Sequence, residues 1–472
     1  MITGKTVMSK AYSTEDFAGM PVTVVGLGSS GVAACRVLGE IGARVRATDT
    51  RSAGEVGEAA AELERAGVKL ELGANSPDFA LGSDLVVLSP GVPLENPLVA
   101  RARSDGVPVI SEVELAYCLS GARFVAITGT NGKTTTTSLI GEILKTRSDK
   151  VHVCGNIGLP ITSVAWGLGR DHILVVEVSS FQLDTCISFR PEVGVLLNIT
   201  PDHLDRYASY DDYVASKGRL FANQTSADFA VINYDDDDCM RASADTEAHK
   251  LYFSLNEKVT EGAFVHGGQV VVGADRQERT VFKIDALKIK GPHNLANSLA
   301  AVLAATALGF EDDAIRDGLA GFDGLEHRYE PVAEIDGVTY INDSKATNVD
   351  SVRVALEAAE PPVILIAGGR DKGGDFETLV PLVEAKVKEM LAVGEARETM
   401  RKIFSQVTRV REAGTLEEAV RIARDDAAAG TTVLLSPGCA SFDMFANFEE
   451  RGRVFKRAVL DLGGAGGQRG EE

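Results

Sequence analysis

The segment Phe124-Val-Ala-Ile-Thr-Gly-Thr-Asn-Gly-Lys-Thr-Thr135 joins an apolar strand to a Gly-Lys-Thr turn at the start of a helix. In such a loop, backbone N–H groups and the helix N-terminus converge on phosphate oxygens. Lys133 would reach the terminal phosphates, and the hydroxyl of Thr134 can hold Mg²⁺. The segment therefore predicts a site for a nucleoside triphosphate.

This loop departs from the common pattern G-x-x-x-x-G-K-[ST]. Ile127 stands where the pattern requires its first glycine, so the first glycine of this loop is Gly129. The strand–loop–helix context is nevertheless the expected one, and a purely structural glycine turn is the weaker alternative. The residues predicted to contact the triphosphate are Gly129, Thr130, Asn131, Gly132, Lys133, Thr134 and Thr135.

A second glycine-rich turn, Gly26-Leu-Gly-Ser-Ser-Gly31, follows a predicted strand at Pro21–Val25. The next predicted strand, Arg44–Thr48, leads to Asp49, as in the dinucleotide-binding fingerprint. Alone this pattern suggests an NAD-dependent dehydrogenase, but the same geometry can hold any diphosphate, and no hydride-transfer pair follows it. A purely structural role of this glycine turn is a further alternative. Candidate ligand contacts at the C-terminal ends of strands are Asp49, Thr50, Arg51 and Ser89.

Three further polar residues follow predicted strands of the central region. Glu177 ends the apolar strand Ile173–Glu177, where a carboxylate is costly unless it meets a cation or solvent. It is a natural Mg²⁺ ligand opposite Thr134. His203, in Asp202-His-Leu-Asp205, is predicted to be functional rather than structural. For Asn156, a ligand contact and a turn asparagine are equal alternatives.

Composition limits the classes of function. The chain has 472 residues, enough for about three domains, and a formal net charge of −20 argues against a nucleic-acid or anionic-membrane partner. The six scattered cysteines predict buried thiols in a reducing compartment. No apolar stretch has the length of a membrane span or a signal-peptide core, so we expect a cytoplasmic protein.

Strand and helix patterns alternate along the chain, which predicts an α/β protein with a mostly parallel sheet in each domain. The expected domains are residues 1–112, 113–324 and 325–472, with an antiparallel insertion at about 251–290. The acidic run Asp235 to Asp238 is expected to be a solvated loop rather than a metal site. The Gly-rich tail from Gly463 to Glu472 is predicted to be disordered.

These motifs, taken in order, resemble those of the Mur ligase family from about Val22 to Ala458. The motifs that carry the resemblance are Ile127-Thr-Gly-Thr-Asn-Gly-Lys-Thr134, Gly155-Asn-Ile-Gly158, Glu177-Val-Ser-Ser-Phe-Gln182, Asp202-His-Leu-Asp205 and Gly291-Pro-His-Asn-Leu-Ala-Asn297. The family consists of three-domain, ATP-dependent amide ligases of peptidoglycan precursor synthesis. The resemblance implies a Rossmann-like first domain, a central P-loop ATPase domain and a Rossmann-like third domain.

Two motifs of the third domain are similar to those of the branch that adds D-glutamate to UDP-N-acetylmuramoyl-L-alanine. These are Asn342-Asp-Ser-Lys-Ala-Thr-Asn348 and Ser436-Pro-Gly-Cys-Ala-Ser-Phe-Asp443. Enzymes of this branch form an acyl phosphate, which the amine of D-glutamate then attacks. Three alternatives remain: a ligase that adds a different residue, a folylpolyglutamate synthase, and a non-catalytic nucleotide-binding regulator. The absence of an Asp-Asn-Pro-Arg box argues against the ligases that add diaminopimelate or lysine at later steps.

The resemblance also assigns residues. It implies Lys133, His203 and Lys217 as catalytic residues, two Mg²⁺ sites held by Thr134, Glu177, His203 and Lys217, and a carbamate on Lys217. From the sequence alone, Lys217 reads as an exposed helical lysine. Further ATP contacts are expected at Asn294, Asn297, Arg328, Asp343 and Lys345. The UDP-substrate is expected to contact Gly28, Ser29, Ser30, Asp49, Thr50, Arg51, Ser89 and Asn156. D-glutamate is expected to contact Thr347, Lys372, Ser441 and Phe448. We expect a monomer whose third domain closes over the second.

Overall fold

The computed structural model describes residues 10–202, 206–274, 277–371 and 373–464. His203 and Lys372, two of the predicted site residues, lie outside the described residues. The chain divides into two compact units. One comprises the described residues up to Leu287 together with Asn294–Phe322, and the other comprises Lys288–His293 and the described residues from Asp323 onward.

The first sheet of the first unit is parallel throughout its described strands, in the order β3-β2-β1-β4-β5. Its strands are β1 (Pro21–Val25), β2 (Arg44–Asp49), β3 (Lys69–Leu72), β4 (Leu85–Leu88) and β5 (Val109–Ser111). The associated helices are α1 (Ser29–Glu40), α2 (Ala53–Val56), α3 (Glu58–Arg65), α4 (Pro97–Ser104) and α5 (Glu112–Leu119). Because β1 lies between β2 and β4, the strand order reverses beside it, at the usual ligand-binding position of such sheets.

The second sheet of this unit has the order β14-β13-β12-β11-β10-β9-β6-β8-β7 among its described strands. These are β6 (Arg123–Thr128), β7 (Val151–Gly155), β8 (Ile173–Glu177), β9 (Val193–Leu196), β10 (Phe229–Asn233), β11 (His249–Ser254), β12 (Gly262–His266), β13 (Gln269–Ala274) and β14 (Gln277–Lys283). The helices that follow are α6 (Lys133–Lys145), α7 (Ile161–Ala165), α8 (Ser180–Leu183), α9 (Tyr210–Gly218), α10 (Asp237–Ala242), α11 (Pro292–Ala307) and α12 (Asp312–Gly321). The phosphate-loop strand β6 is an interior strand of this sheet, between β9 and β8.

The sheet of the second unit has the order β15-β16-β20-β17-β18-β19, and only β15 is antiparallel among its described strands. Its strands are β15 (Glu330–Ile335), β16 (Val338–Asn342), β17 (Val363–Gly368), β18 (Val387–Val393), β19 (Arg409–Glu412) and β20 (Thr432–Leu435). Its helices are α13 (Val349–Ala358), α14 (Val380–Lys386), α15 (Arg397–Phe404), α16 (Leu416–Asp426) and α17 (Phe448–Gly464). Short 3₁₀ turns in the two units lie at Thr14–Phe17, Pro77–Ala80, Arg219–Phe221, Ile284–Ala286 and Phe376–Leu379.

The α/β class with mostly parallel sheets is confirmed. The antiparallel insertion was only partly right, because β11 pairs in parallel with both β10 and β12, and antiparallel pairing begins at β13. Strand β5 begins at Val109, directly after Pro108, which has no N–H to give to a ladder. The tail prediction was wrong for Gly463 and Gly464, whose backbone continues α17, and residues 465–472 lie outside the described part.

Other predictions from composition can be compared with the structure. All six cysteines are buried and free. Asp235 accepts hydrogen bonds from the Ser254 hydroxyl and Leu255 N–H, and Asp236 caps α10. The loop prediction was wrong for Asp237 and Asp238, which form the first turn of α10. Within the described residues, no helix is long and apolar enough to cross a membrane. The domain boundaries at 112 and 324 stay predictions.

Candidate active site

The loop between β6 and α6 depends on two glycines. Gly129 has a φ of +153° and Gly132 a φ of +82°, conformations that L side chains rarely adopt. A Cβ on Gly132 would lie 2.4 Å from Oδ1 of Asn297. The sequence thus forms the tight turn and lets the first turn of α11 approach the loop closely. Asn294 and Asn297 lie on one face there, with Nδ2 of Asn297 3.4 Å from Oδ1 of Asn294.

Asn198 holds this loop in shape. Its carboxamide accepts a hydrogen bond from Asn131 N–H at 2.8 Å and donates one to the Asn131 carbonyl at 3.1 Å. Its own carbonyl accepts from Thr130 N–H at 2.9 Å. Asn198 comes two residues after the buried strand β9. A polar residue directly after a buried strand is a sequence signal for a site residue at the C-terminal edge of a sheet. We had not assigned it to the site.

Lys133, the first residue of α6, is folded back over the loop. Its Nζ donates to the carbonyls of Gly129 at 2.9 Å and Thr130 at 2.7 Å. The ammonium group therefore lies next to the loop that leads into the N-terminus of α6. This is the arrangement that phosphate binding at a helix N-terminus requires.

Lys217 is buried, with 2% of its surface exposed, which contradicts the interpretation of an exposed helical lysine. Its Nζ donates to the Gly129 carbonyl at 2.9 Å and lies 4.6 Å from the ring centroid of Tyr213. The Tyr213 hydroxyl is 3.1 Å from the Thr130 hydroxyl. Burial, and secondly the charge of Lys133, lower the pKa of Lys217 well below its ordinary value. Burial beside the phosphate loop therefore increases the fraction of Lys217 that is neutral.

Glu177 ends β8 with 3% of its surface exposed. Its Oε1 accepts a hydrogen bond from Asn156 Nδ2 at 3.2 Å, whereas its buried Oε2 has no hydrogen-bond partner among the described residues. An unpaired buried carboxylate oxygen is unfavourable unless a cation completes it, so Glu177 fits a Mg²⁺ ligand. The described residues contain no group of three or more His, Cys, Asp or Glu arranged for a metal.

Four of the predicted side chains line one cavity, which we call the catalytic cleft, whereas Thr134 and Glu177 are not among its lining residues. Its empty volume is about 790 Å³. The residues that line it are Pro90, Gly91, Thr130, Lys133, Asn156, Ser179, Ser180, Phe181, Asp202, Arg206, Tyr213 and Lys217. It thus brings together Thr130, Lys133, Asn156 and Lys217 from the predicted set. Its other lining residues had not been assigned to the site, because their meeting depends on the tertiary fold.

The glycine turn of the first sheet lies at the start of α1. Gly31 allows a close approach, because a Cβ there would lie 1.8 Å from the Gly26 carbonyl oxygen. Ser89 Oγ donates to that same carbonyl at 2.7 Å. Gly28 is the N-cap of α1, and Ser29 and Ser30 form its first turn. The ends of β1 and β4 are therefore joined directly.

Asp49 is already engaged by neighbouring groups. Its carboxylate accepts from Leu27 N–H at 2.6 Å, and from Arg51 through the backbone N–H at 2.8 Å and the guanidinium at 2.8 and 3.1 Å. Burial by itself would raise its pKa, but the hydrogen bonds from Arg51 and Leu27 outweigh burial and lower it. Asp49 thus anchors the turn and orients the half-exposed Arg51 and, with it, the adjacent Thr50.

In the second unit, the predicted residues gather where β16, β17 and β20 end. Asp343 follows β16, is buried, and accepts from the Ser436 hydroxyl at 3.0 Å and from Tyr329 N–H at 3.1 Å. Arg328 lies between two residues in the left-handed region, His327 (φ 66°) and Tyr329 (φ 44°), a conformation that is costly outside glycine. The ends of β16 and β20 therefore meet in one polar cluster.

The remaining predicted residues of this unit lie nearby. Lys345 Nζ is 3.7 Å from the ring centroid of Phe448. Ser441 is buried in the loop after β20, and Thr347 lies in the loop after β16. Arg370, two residues before Lys372, exchanges backbone hydrogen bonds with Ala440, at 2.9 and 3.0 Å.

Arg451 links the loop after β16 to the loop after β20 through hydrogen bonds to Ser344 and Cys439. Its side chain is the largest that is fully buried among the described residues, and it donates to Ser344 Oγ at 3.0 Å, to the Ser344 carbonyl at 2.8 Å and to the Cys439 carbonyl at 3.1 Å. Burial lowers its pKa to about 10. No sequence pattern reveals this residue, since an arginine within a charged helical segment usually faces solvent.

Models of Mur ligase domains match most of the chain. The Mur ligase MurD-like N-terminal domain matches residues 20–111, the Mur ligase middle domain matches 127–305, and the Mur ligase glutamate ligase domain matches 327–439. The chain belongs to the Mur ligase family. The family predicted from the motifs is therefore confirmed.

This Mur ligase family member has relatives that match nearly its whole length. It is 45% identical over 445 residues to the UDP-N-acetylmuramoylalanine–D-glutamate ligase of Caldanaerobacter subterraneus subsp. tengcongensis, covering 93% of this chain and 98% of that protein. It is 45% identical over 452 residues to the protein of the same name from Acidobacterium capsulatum, covering 95% and 98%.

Solved structures of other Mur-type ligases share the fold. A pseudomurein peptide ligase type C from Methanothermus fervidus matches with a TM-score of 0.59 and 21% identity, covering 94% of this chain and all of that one. A UDP-N-acetylmuramate–alanine ligase from Thermotoga maritima matches with a TM-score of 0.60 and 19% identity, over the same shares. The arrangement of sheets in this Mur ligase is therefore that of the family.

Replacing Asp343 with asparagine is expected to remove a pH dependence from the stability of this Mur ligase. Burial raises the pKa of Asp343 to about 7. Since the folded pKa exceeds the unfolded one, its contribution to stability is complete below about pH 4 and is lost as the pH rises through about 7. About three pKa units correspond to ~4 kcal/mol at most.

Urea unfolding of the wild type and of Asp343→Asn between pH 4.5 and 8 checks this. The free energy of unfolding of the wild type should fall more steeply with pH than that of the variant. Parallel curves for the two proteins would exclude the titration of Asp343 as the cause.

Proposed function

We propose that this protein catalyses the ATP-dependent addition of D-glutamate to UDP-N-acetylmuramoyl-L-alanine, releasing ADP and phosphate, in peptidoglycan precursor synthesis. One observation carries the proposal: the buried amine of Lys217 contacts the Gly129 carbonyl of the phosphate loop, inside the cleft that Lys133 also lines. ATP hydrolysis alone needs no second, buried lysine at the loop. When a substrate carboxylate is activated beside the γ-phosphate, more negative charge gathers at the phosphate loop, and Lys217 could help to stabilise it.

The first step joins a carboxylate oxygen of the UDP-substrate to the γ-phosphorus of ATP and breaks the bond to ADP. Because both reactants are anions, the step needs positioning and charge neutralisation more than covalent help. Lys133 supplies positive charge, and the backbone N–H groups of residues 129–135 hold the phosphates. We assign the nucleotide base to Asn297, which lies next to Gly132, and to its neighbour Asn294.

Thr134 and Glu177 are the side chains that would hold Mg²⁺, which would neutralise phosphate charge when bound. The unpartnered buried oxygen of Glu177 supports this assignment. A carbamate on Lys217, together with His203, would add ligands for a second ion. The lowered pKa of Lys217 supports that modification, because only the neutral amine reacts with carbon dioxide.

The second step joins the amine of D-glutamate to the acyl carbon, expels phosphate and releases a proton from the amine. A dicarboxylate needs cations and N–H or O–H donors. We assign D-glutamate to Thr347, Lys372, Ser441 and Phe448, and the remaining nucleotide contacts to Arg328, Asp343 and Lys345. The proposed domains for the UDP-substrate, ATP and the amino acid are residues 1–112, 113–324 and 325–472.

The UDP-substrate is assigned to the turn at Gly28, Ser29 and Ser30, to Thr50 and Arg51, and to Ser89 and Asn156. The contacts of Asp49 favour this over a dinucleotide, because its carboxylate already binds Leu27 N–H and Arg51 rather than facing a ribose. ATP and UDP-linked sugars are cytoplasmic metabolites, so we place the reaction in the cytoplasm. We propose a monomer with no nucleic-acid or membrane partner.

Phosphate release tests the function directly. Purified protein with ATP, Mg²⁺ and UDP-N-acetylmuramoyl-L-alanine should release phosphate in the presence of D-glutamate and far less with L-glutamate or other D- and L-amino acids. The product should gain the mass of one glutamyl residue. A different preferred acceptor would contradict the specific assignment, and phosphate release that does not depend on any amino acid would contradict ligation.

A further inference from the structure

Arg206 occupies the border between two cavities. A second cavity, which we call the side cavity, adjoins the catalytic cleft; its lining includes Ser89, Ser111 and Thr185, and its empty volume is about 450 Å³. Among the described residues, three line both cavities: Pro90, Phe181 and Arg206. Of these, only Arg206 carries a charge. The mechanism above gives it no task.

The guanidinium of Arg206 is held from two sides. Its NH2 group donates to the Gly91 carbonyl at 3.1 Å, and its Cζ lies 4.6 Å from the ring centroid of Phe181. Phe181 in turn stacks on Tyr207, with ring centroids 5.8 Å apart and an angle of 14° between the planes. A planar cation stacked on an aromatic ring is pre-organised, so little order is lost when it binds a ligand.

Gly91 connects this arginine to the first sheet. It lies in the loop after β4, whose Ser89 donates to the carbonyl of Gly26 in the glycine turn. On the other side, the catalytic cleft contains Lys133 and Lys217. Arg206 therefore lies on the route from the proposed diphosphate site to the place where the substrate carboxylate must arrive.

The group that must cross this border is the acyl arm of the UDP-substrate. The arm carries amide and ether oxygens but no charge before its terminal carboxylate. A guanidinium carries five N–H donors in a rigid fork, and the contact with Gly91 uses one of them among the described residues. Amide carbonyl oxygens are suitable acceptors for the others.

We propose that Arg206 is a positioning residue that donates hydrogen bonds to carbonyl oxygens of the acyl arm. By binding the arm and the Gly91 loop together, it sets how far the terminal carboxylate reaches toward Lys133 and Lys217. This inference rests on the proposed function and adds to it a residue that determines how the UDP-substrate is aligned.

Steady-state kinetics of Arg206→Ala with each substrate varied in turn tests the proposal. Loss of charge-assisted hydrogen bonds should raise KM for UDP-N-acetylmuramoyl-L-alanine about 10- to 100-fold. The KM values for ATP and D-glutamate should change less than about twofold, because Arg206 is assigned no contact with either. Arg206→Lys keeps the charge but loses the flat stack, so it should recover only part of the loss. Phe181→Leu should raise the same KM.

Arg190→Ala provides a matched control. Arg190 is a part-buried arginine of the same unit that binds Asp228 at 2.7 Å and Thr225 at 2.8 Å, and it is not among the residues lining either cavity. Its removal should lower the melting temperature and leave the three KM values unchanged. Arg206→Ala should raise the KM for the UDP-substrate and leave the melting temperature unchanged.

The outcomes separate the two proposals. Wild-type protein that forms no D-glutamyl product contradicts the proposed function and, with it, this inference. An active wild type whose Arg206→Ala variant keeps the same KM for the UDP-substrate contradicts the inference alone. An equal rise of all three KM values with a lower melting temperature also overturns it, since that pattern marks a structural role.

Discussion

Replacing Lys217 with alanine is expected to lower kcat by about 10²- to 10³-fold, the size of effect seen when one preorganised electrostatic group is removed from an active site. Lys217 Nζ lies 2.9 Å from the Gly129 carbonyl and is shielded from solvent. If the amine carries a carbamate, the variant loses anionic oxygens beside the phosphate loop. Acetate or formate should then restore part of the activity by occupying the space left by the side chain.

Two further variants make this test specific. Lys217→Arg keeps a cation but cannot form a carbamate, so it should be as inactive as the alanine variant and should not respond to acetate. Lys145→Ala is the matched control, because Lys145 also lies in the last turn of a helix but is exposed and pairs with Glu142 at 3.1 Å. It should retain wild-type kcat.

Carbon-13 NMR with labelled bicarbonate gives a readout that does not depend on turnover. A carbamate resonance should be present in the wild type and absent from both Lys217 variants. Normal rates for Lys217→Ala would remove the carbamate from the mechanism.

The parts of the fold that were predictable are those with local signals. Strands β1 and β8 were predicted with their observed bounds, because each is a mostly apolar run buried in a sheet. The phosphate loop was predictable because the Gly-Lys-Thr turn combines a left-handed glycine with a helix start. Both kinds of signal lie within about ten residues of chain.

Strand β18 lacked such a signal because it contains Glu389. This buried carboxylate is compensated by Arg411 of β19, whose Nε lies 2.5 Å from Oε1. Charge compensation between neighbouring strands depends on the tertiary fold and leaves no mark in the local pattern. The parallel pairing of β11 was missed for a similar reason, since sheet direction depends on the crossover that precedes the strand.

Within the site, too, features with a local sequence signal were predictable and features that depend on the tertiary fold were not. Residue types at strand ends identified Glu177 and Asn156, but only the folded chain shows that their side chains touch. Lys217 could not be distinguished from a surface lysine by spacing, and only the resemblance singled it out. Its burial depends on α9 packing beside the phosphate loop. Arg206 and Asn198 act through contacts with residues distant in sequence, so no local pattern reveals them.

Replacing Glu177 with glutamine is expected to separate a metal ligand from a structural carboxylate. The change keeps the size of the side chain and removes its charge. If Glu177 binds Mg²⁺, kcat should fall about 10²- to 10³-fold and the Mg²⁺ concentration for half-maximal rate should rise. The free energy of unfolding without Mg²⁺ should stay equal or increase, because an unpaired buried carboxylate is destabilising.

Glu112→Gln is the matched control for this variant. Glu112 is also buried, with Oε1 accepting from Thr162 N–H at 3.0 Å and Oε2 without a partner among the described residues. Glu177 contacts Asn156, which lines the catalytic cleft, whereas Thr162, the contact of Glu112, is not among the residues lining it. Both glutamine variants should therefore keep or gain stability, while only Glu177→Gln should lose Mg²⁺-dependent turnover. Equal activity in the two variants would mean that the open oxygen of Glu177 serves no metal, and the Mg²⁺ assignment would have to move to other oxygens of the cleft.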